Sequence, residues 1–424
     1  MRTIIRNVII ADKSSSFNGR KVNVCIEDDV IALITENSVD HEKADHVIDG
    51  SGKYLFSGLF DLHARFREPG EEYKETIDSG CMAAAQGGFT EVLLMPDTTP
   101  AVDNKSQVDY ILNRSIGKIT DVHVAGAISM DLKGKDLSEM HDMFLTGARV
   151  FTDDKHSVQD AGLLIRALLY SRDFNARIFN FPNDKSISGK GVMNEGQQST
   201  LCGLRGIPAI AEEIMVERDI MLSVYTDTNI HLSTISTAGS VEKIRRAKKA
   251  GYKITCDVAA HNLLLDDSHL SDFNSLYKLM PPLRTNEDIS ALIEGLKDNT
   301  IDAICSDHSP EHTESKKTEF DLAAYGISCL ETSLSCAFTA LKNHLDHAEI
   351  FSKLNSNPRS IIGLPVPVIE EKAKANLVLF DPANNWTVRE WDIKSKSKNN
   401  PFINTQLIGR VEMVYNNSIL HFCN

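Results

Sequence analysis

The stretch DLHARFREPGEEYKETIDSGCMAAAQGGFTEVLLMPDTTP, residues 61–100, decides the architecture. It begins inside one short apolar run, LFDLHA (59–64), and passes through another, EVLLMP (91–96). Between them TIDSGCMAAAQGG sets small and apolar residues at three- and four-residue spacing, the period of a helix packed along one side. Two apolar strands joined by such a helix make a βαβ unit with parallel strands. The alternation continues outward through DVHVAGA (121–127), ARVFT (148–152), ARIFNF (176–181), NIHLST (229–234), KITCDVA (253–259) and IDAICS (301–306). Helical segments KSQVDYILNRS, QDAGLLIRALLYSR, AIAEEIMVERDIMLSVY, SVEKIRRAKKAG and NEDISALIEGLKD lie between the runs. Eight strands alternating with helices predict a (β/α)8 TIM barrel over residues 57–365.

Both flanks have a different texture. Residues 1–56 carry RTIIRNVII, KVNVCIE and VIALIT, and residues 366–424 carry ANLVLFDP, NWTV, LIGRVEMVYNN and SILHFCN. Their β-branched content and turn residues predict strands, and the two ends together predict one small β-domain beside the barrel. The polar piece KSKSKNNP (394–401) reads as a surface loop.

Composition narrows the function. Of 424 residues, 42% are hydrophobic and 25% charged, as in a globular protein. The 59 acidic residues exceed the 45 basic ones, giving a formal net charge of −14. That balance speaks against nucleic acid and anionic membranes, which require basic surfaces. No apolar run approaches the roughly 18 residues of a membrane span, and the interrupted N-terminus does not read as a signal peptide. The eight cysteines are scattered without a Cys-x-x-Cys pair, so buried reduced thiols and a cytoplasmic location are expected.

Functional groups of such a barrel project from the C-terminal ends of its strands. Those ends offer His63, Arg65 and Arg67, then Asp97, Asp153 and Asp154, Phe181, Thr234, and finally Asp307 and His308. Alternation along the first strand puts His63, Arg65 and Arg67 on one side.

Here the chain resembles the dihydroorotases of the amidohydrolase superfamily. DLHARFREPG stands where that family reads Asp-x-His-x-His-x-Arg-[Glu/Asp]-Pro-Gly, and GGFT, MPDT, FTDD, PPLR and SDHSP follow in family order. The resemblance implies a two-zinc hydrolase that interconverts dihydroorotate and carbamoyl-aspartate. It implies metal positions at His63, Asp154 and Asp307, with Asp307 as proton shuttle, and substrate positions at Arg67, Asp97 and His308.

The pattern is broken at three of the six ligand positions: Arg65, Phe181 and Thr234 stand where the family has histidines. A phenyl ring has no lone pair, a threonine hydroxyl is a poor zinc ligand, and a guanidinium is a fixed cation. Arg65 is instead suited to pair with Asp154 and Asp307. On the substrate side, Asp97 replaces an asparagine, Met280 another asparagine, and Glu311 a histidine. His156 is placed to reach inward, whereas alternation turns His231 away from the centre. Cys305 reads as a barrel-core residue without an activating histidine.

The expectation is a dihydroorotase-like pseudoenzyme with no cofactor, the metal positions being remnants. The resemblance implies aspartate carbamoyltransferase as a partner and a homo-oligomeric state. Two alternatives stand beside it. One is an active dihydroorotase or related cyclic amidohydrolase, using zinc in a reduced or rebuilt site. The other is a sensor that recognises a small anion through Arg65, Arg67 and His308.

Overall fold

The computed structural model of the chain describes residues 1–40 and 42–423. Eight strands pair in parallel, each with the next: Leu59–Ala64, Phe89–Leu94, Asp121–Gly126, Val150–Phe151, Arg177–Asn180, Ile230–Leu232, Ile254–Ala259 and Ala303–Cys305. They are referred to below as the first to eighth barrel strands. Just past the eighth, a parallel bridge between His308 and Ala64 closes the ring, and the Arg65 amide donates to the His308 carbonyl at 2.9 Å. Asp61 reinforces the seam by accepting from the Ser306 amide at 2.7 Å and from its hydroxyl at 2.5 Å. Burial, set against those two bonds, raises the Asp61 carboxyl to about 6.

Inward-facing Phe60, Leu62, Leu93, Met95, Ala125, Val150, Phe179, Ala259, Ala303 and Cys305 fill the lumen. Ile361 and Ile362, on the helix Ser356–Ile362, close its N-terminal end. Beneath them the fully buried Arg359 binds Glu91 at 2.7 Å and the Gly58 carbonyl at 2.9 Å, tying this helix to the first two strands. The barrel is therefore a packed core with its open face at the C-terminal strand ends.

The helix Ile77–Gln86 follows the predicted alternation, and its start is set by Thr76 and Ser79, which cap each other reciprocally. Gly70 (φ +101°) lies just before it. A β-carbon there would collide with the Thr99 carbonyl, so the loops after the first two strands pack only around a glycine.

A second sheet gathers strands from both chain ends. Arg2–Ile10, Lys21–Glu27, Val30–Thr35, His46–Asp49 and Tyr54–Ser57 join Leu377–Thr387, Gln406–Asn416 and Ile419–Phe422. The halves meet where Tyr54–Ser57 pairs antiparallel with Leu377–Thr387.

Two sequence expectations are corrected, and one helix is added. ANLVLFDP and NWTV belong to one bulged strand, Leu377–Thr387. The helix Leu330–Leu341, which sequence reading did not pick out, is buried nearly all round. The KSKSKNNP piece is not a surface loop: Ser395, Ser397, Asn399 and Asn400 are buried. Its Ser395 hydroxyl bonds Glu75, and Asn399 accepts from the Glu311 amide at 3.1 Å. Polar composition does not place a segment outside when every polar group finds a partner. Among the described residues, no helix is long and apolar enough to cross a membrane.

Candidate active site

At several strand ends the backbone turns left-handed on a residue that matters. Arg67 (φ 60°), Asp154 (φ 51°), Thr234 (φ 50°) and Asp307 (φ 52°) all adopt this uncommon conformation. Each such residue costs about 1–3 kcal/mol, and such strain concentrates at functional sites. The ends of the first, second, fourth and eighth strands bring Arg65, Arg67, Asp97, Asp154, Lys155 and Asp307 to the wall of a cavity of about 470 Å³.

Arg65 sits at the floor, 4% exposed. Its guanidinium contacts Asp154 Oδ2 at 2.6 Å, Asp97 Oδ2 at 2.8 Å and Asp307 Oδ1 at 3.6 Å. Burial opposes the charged form of Arg65, but these carboxylates outweigh it and hold the group above its ordinary value. Burial likewise acts to raise Asp154. The opposing cation of Arg65, with His63 and Lys155, instead drives it far below the carboxylate range. Since Asp154 is ionised, His63 Nε2 at 2.7 Å must donate to it, and that nitrogen then has no free lone pair.

Lys155 completes the arrangement. Its Nζ lies 3.1 Å from Asp307 Oδ1, donates to Thr234 Oγ1 at 2.8 Å, and stands 4.5 Å above the Phe181 ring. It touches both positions where the resemblance implies a histidine on the fifth and sixth strands, and the carboxylate of the eighth. The aromatic face attracts a cation, and the threonine supplies an acceptor that a histidine ligand would have withheld. Arg65 and Lys155 thus pair with the carboxylates at the barrel mouth. Sequence reasoning found Arg65 and missed Lys155.

The substrate positions are also committed internally. Arg67 binds Asp97 at 3.1 Å, Glu311 at 2.9 Å, the Ser309 hydroxyl at 2.9 Å and the Pro310 carbonyl at 3.3 Å. Lys74 answers Glu311 from the other side at 3.1 Å. The fork suited to a substrate carboxylate is therefore filled by protein carboxylates. Burial raises the Asp97 carboxyl, the neighbouring Arg65 and Arg67 offsetting only part of that.

His308 is a correction. The sequence places it among substrate-binding groups, yet it is fully buried and does not line the cavity. Its Nδ1 accepts from the Cys329 and Leu330 amides at 3.1 and 3.4 Å, and its Nε2 faces Glu75 at 3.5 Å. The backbone donors at the start of the helix Leu330–Leu341 hold the ring away from the cavity. The anion-recognition alternative loses His308 on this ground.

The remaining candidates separate cleanly. His156 and Met280 line the cavity. His231 lies within the sixth strand, its ring tilted against Phe179 and bonded to Asp257 at 3.0 Å, away from that cavity. Cys305 is fully buried, and burial pushes its thiol well above the ordinary value, so it presents no thiolate. His261, not singled out from sequence, is buried with neither ring nitrogen partnered among the described residues. Burial lowers it to about 4.

The residues present do not fit a two-zinc centre. Zinc takes nitrogen, sulfur or carboxylate donors. Here a guanidinium, a phenyl ring and a hydroxyl occupy three ligand positions, and an ammonium stands among them. Among the described residues no group of three or more His, Cys, Asp or Glu side chains is placed to hold a metal.

A parallel barrel closed at His308, with its cavity at the C-terminal strand ends and a two-ended β-domain beside it, defines an amidohydrolase-type protein. Solved structures agree in fold. L-hydantoinase of Arthrobacter aurescens superposes with a TM-score of 0.84 at 19% identity, covering 99% of this chain and 95% of its own. Dihydropyrimidinase of Brevibacillus agri gives 0.82 at 20% identity, covering 100% and 95%. The Dihydro-orotase-like family model matches residues 52–240. The protein named Dihydroorotase from Acetivibrio thermocellus is 42% identical over 412 residues, 96% of each chain. That from Caldicellulosiruptor saccharolyticus is 43% identical over 405 residues, 94% of each. The chain belongs to the dihydroorotase family.

Proposed function

We propose that this family member has given up metal-dependent hydrolysis and serves pyrimidine biosynthesis as a structural or regulatory subunit, with aspartate carbamoyltransferase as its partner. The observation that carries the loss of hydrolysis is Lys155, whose ammonium stands between Asp307, Thr234 and Phe181. A divalent ion there would meet the Lys155 side chain at contact distance, with the guanidinium of Arg65 on the adjoining carboxylate. Without a metal to lower the pKa of water, nothing in the cavity supplies a hydroxide at neutral pH. The ion-pair network replaces the charge of the metals and keeps the barrel mouth folded. The partner rests on the family's place in pyrimidine synthesis and on an otherwise intact fold.

The competing reading is hydrolysis of dihydroorotate or a related cyclic amide with a reduced zinc site. The name Dihydroorotase carried by relatives 42–43% identical favours it. Metal analysis of the purified chain and a dihydroorotate hydrolysis assay after zinc addition separate the two. Under the proposal zinc is substoichiometric and turnover stays at background. Stoichiometric zinc with turnover that is lost in Asp307→Ala establishes the competing reading. Affinity capture from the native cells tests the partner, and its absence from a stable, intact preparation removes that part of the proposal.

A further inference from the structure

A second cavity, of about 270 Å³, lies at the end of the barrel opposite the mouth. It opens where the fifth, sixth and seventh strands begin, and its lining includes Arg177, Phe179, His231, Lys253, Thr255 and Ile361. Phe179, His231 and Ile361 are buried, Arg177 and Thr255 are half-buried, and Lys253 is exposed. The charge of this cavity sets it apart. The chain has 59 acidic residues against 45 basic ones, yet no Asp or Glu lines this cavity, whereas three aspartates line the one at the mouth.

Both cations are available to a ligand. Arg177 spends two N–H donors, on the Ile361 carbonyl at 3.1 Å and the Asn175 side chain at 3.1 Å. Among the described residues it has no carboxylate partner, so its charge is unanswered. Lys253 pairs with Asp227 at 3.1 Å, but those side chains are 62% and 81% exposed, and such a pair holds its cation loosely. The carboxylate behind the inner wall does not oppose an anion. Burial acts to raise Asp257, but its bond with His231 prevails and lowers it. Asp257 therefore accepts from His231 Nε2 at 3.0 Å and from the Thr234 amide at 2.5 Å, and both of its oxygens are engaged. The other ring nitrogen of His231 meets the Thr255 hydroxyl at 2.9 Å, which fixes the polar part of the wall.

A guanidinium fork and an ammonium, flanking the sixth strand with no carboxylate between them, are the donors that recognise phosphate. The volume falls below the roughly 300–1,000 Å³ of pockets for drug-sized ligands, so the ligand is small. This end of such barrels serves stability rather than chemistry, which makes it a place for binding and not for turnover. We infer that this cavity binds a small phosphate-type oxyanion, inorganic phosphate or a short phosphate monoester, between Arg177 and Lys253. A ligand bound there is tied through Arg177 to the helix Ser356–Ile362 that plugs the barrel. The site lies apart from the mouth, so the inference is independent of whether that cavity hydrolyses anything.

Phosphorus NMR titration of the full chain, at constant ionic strength in a phosphate-free buffer, tests it with inorganic phosphate and with glycerol 3-phosphate. Saturable binding is expected, weakened about tenfold or more in Arg177→Gln, as loss of one charge-assisted hydrogen bond requires. Because Arg177 also braces Ile361, Lys253→Glu provides a second variant that alters only an exposed side chain. It is expected to weaken binding by a similar factor while thermal unfolding stays unchanged. Lys185→Gln, on the wall of the mouth cavity, is expected to bind as the wild type does. Tighter binding of glycerol 3-phosphate supports the inference with an organic phosphate as ligand, and tighter binding of the free ion supports it with phosphate itself. No saturable binding of either probe overturns it. So does binding that Lys253→Glu leaves intact, or that Lys185→Gln abolishes, since the anion then sits elsewhere on the surface or at the mouth.

Discussion

Lys155 Nζ donates to Thr234 Oγ1 at 2.8 Å, joining the turn after the fourth barrel strand to the end of the sixth. The same nitrogen is 3.1 Å from Asp307. One side chain thus bridges two strand ends that the family's metal centre would otherwise hold together. Replacing Lys155 by methionine keeps most of the packing on Phe181 and deletes the charge. The expected result is destabilisation of about 1–3 kcal/mol, because a buried carboxylate loses a partner while Lys155 itself retains some solvent. Arg65→Met is expected to cost more, about 3–5 kcal/mol, since Asp154 is left deeply buried with its principal cation gone. Chemical denaturation of both variants measures the difference, and equal stability of wild type and Arg65→Met contradicts the charge-replacement account.

If the network stands in for metals, metals and chelators leave the protein unmoved. Anything that binds only the folded state raises its melting temperature, by an amount that grows with the logarithm of its concentration over Kd. Thermal unfolding is therefore expected to coincide in excess zinc, in excess EDTA and in neither. A rise with zinc that EDTA reverses identifies a folded-state metal site.

The fold was legible because barrel strands are short apolar runs separated by helices with clear outer faces, and because the DLHARFREPG and SDHSP segments fix both sides of the seam at which the barrel closes. Arg65 was legible for a similar reason: period-two alternation along a strand carries it to the same side as His63. Lys155 was not. It follows Asp154, whose left-handed backbone takes the chain out of strand geometry, so no periodicity predicts where the next side chain points. His308 misled for the opposite reason. A family motif marks its position in the chain, but only the packing of the helix Leu330–Leu341 shows that its ring is bound to backbone amides.

Arg67 supplies a prediction about ligands. Its guanidinium is occupied by Asp97 and Glu311, so dihydroorotate and carbamoyl-aspartate are expected to leave the wild-type melting temperature unchanged. Asp97→Asn combined with Glu311→His empties the fork and removes two negative charges from its surroundings. That variant is expected to gain a ligand-dependent rise equivalent to about 2–3 kcal/mol at a hundredfold excess over Kd. A rise already present in the wild type shows that the carboxylates yield to ligand and revives the anion-sensing alternative.

The other end of the barrel gives a prediction about pH. Glu91 is mostly buried against Arg359 at 2.7 Å and His123 at 3.0 Å. Burial acts to raise its carboxyl, but the His123 bond and the Arg359 charge prevail and lower it to about 2. In the unfolded chain a glutamate takes up its proton near about 4.3. The folded form therefore holds one proton fewer between these values. The stabilisation is complete above the unfolded pKa and disappears as pH falls through the folded one. It amounts to about 3 kcal/mol at neutral pH. Glu91→Gln is expected to lose much of that difference at pH 7 and to flatten the decline in stability between about pH 4.5 and 2. Urea denaturation of wild type and variant across that range reads both effects. Parallel pH curves for the two proteins show that Glu91 does not supply the acid sensitivity, and that the Ser356–Ile362 plug is held by packing of Ile361 and Ile362 alone.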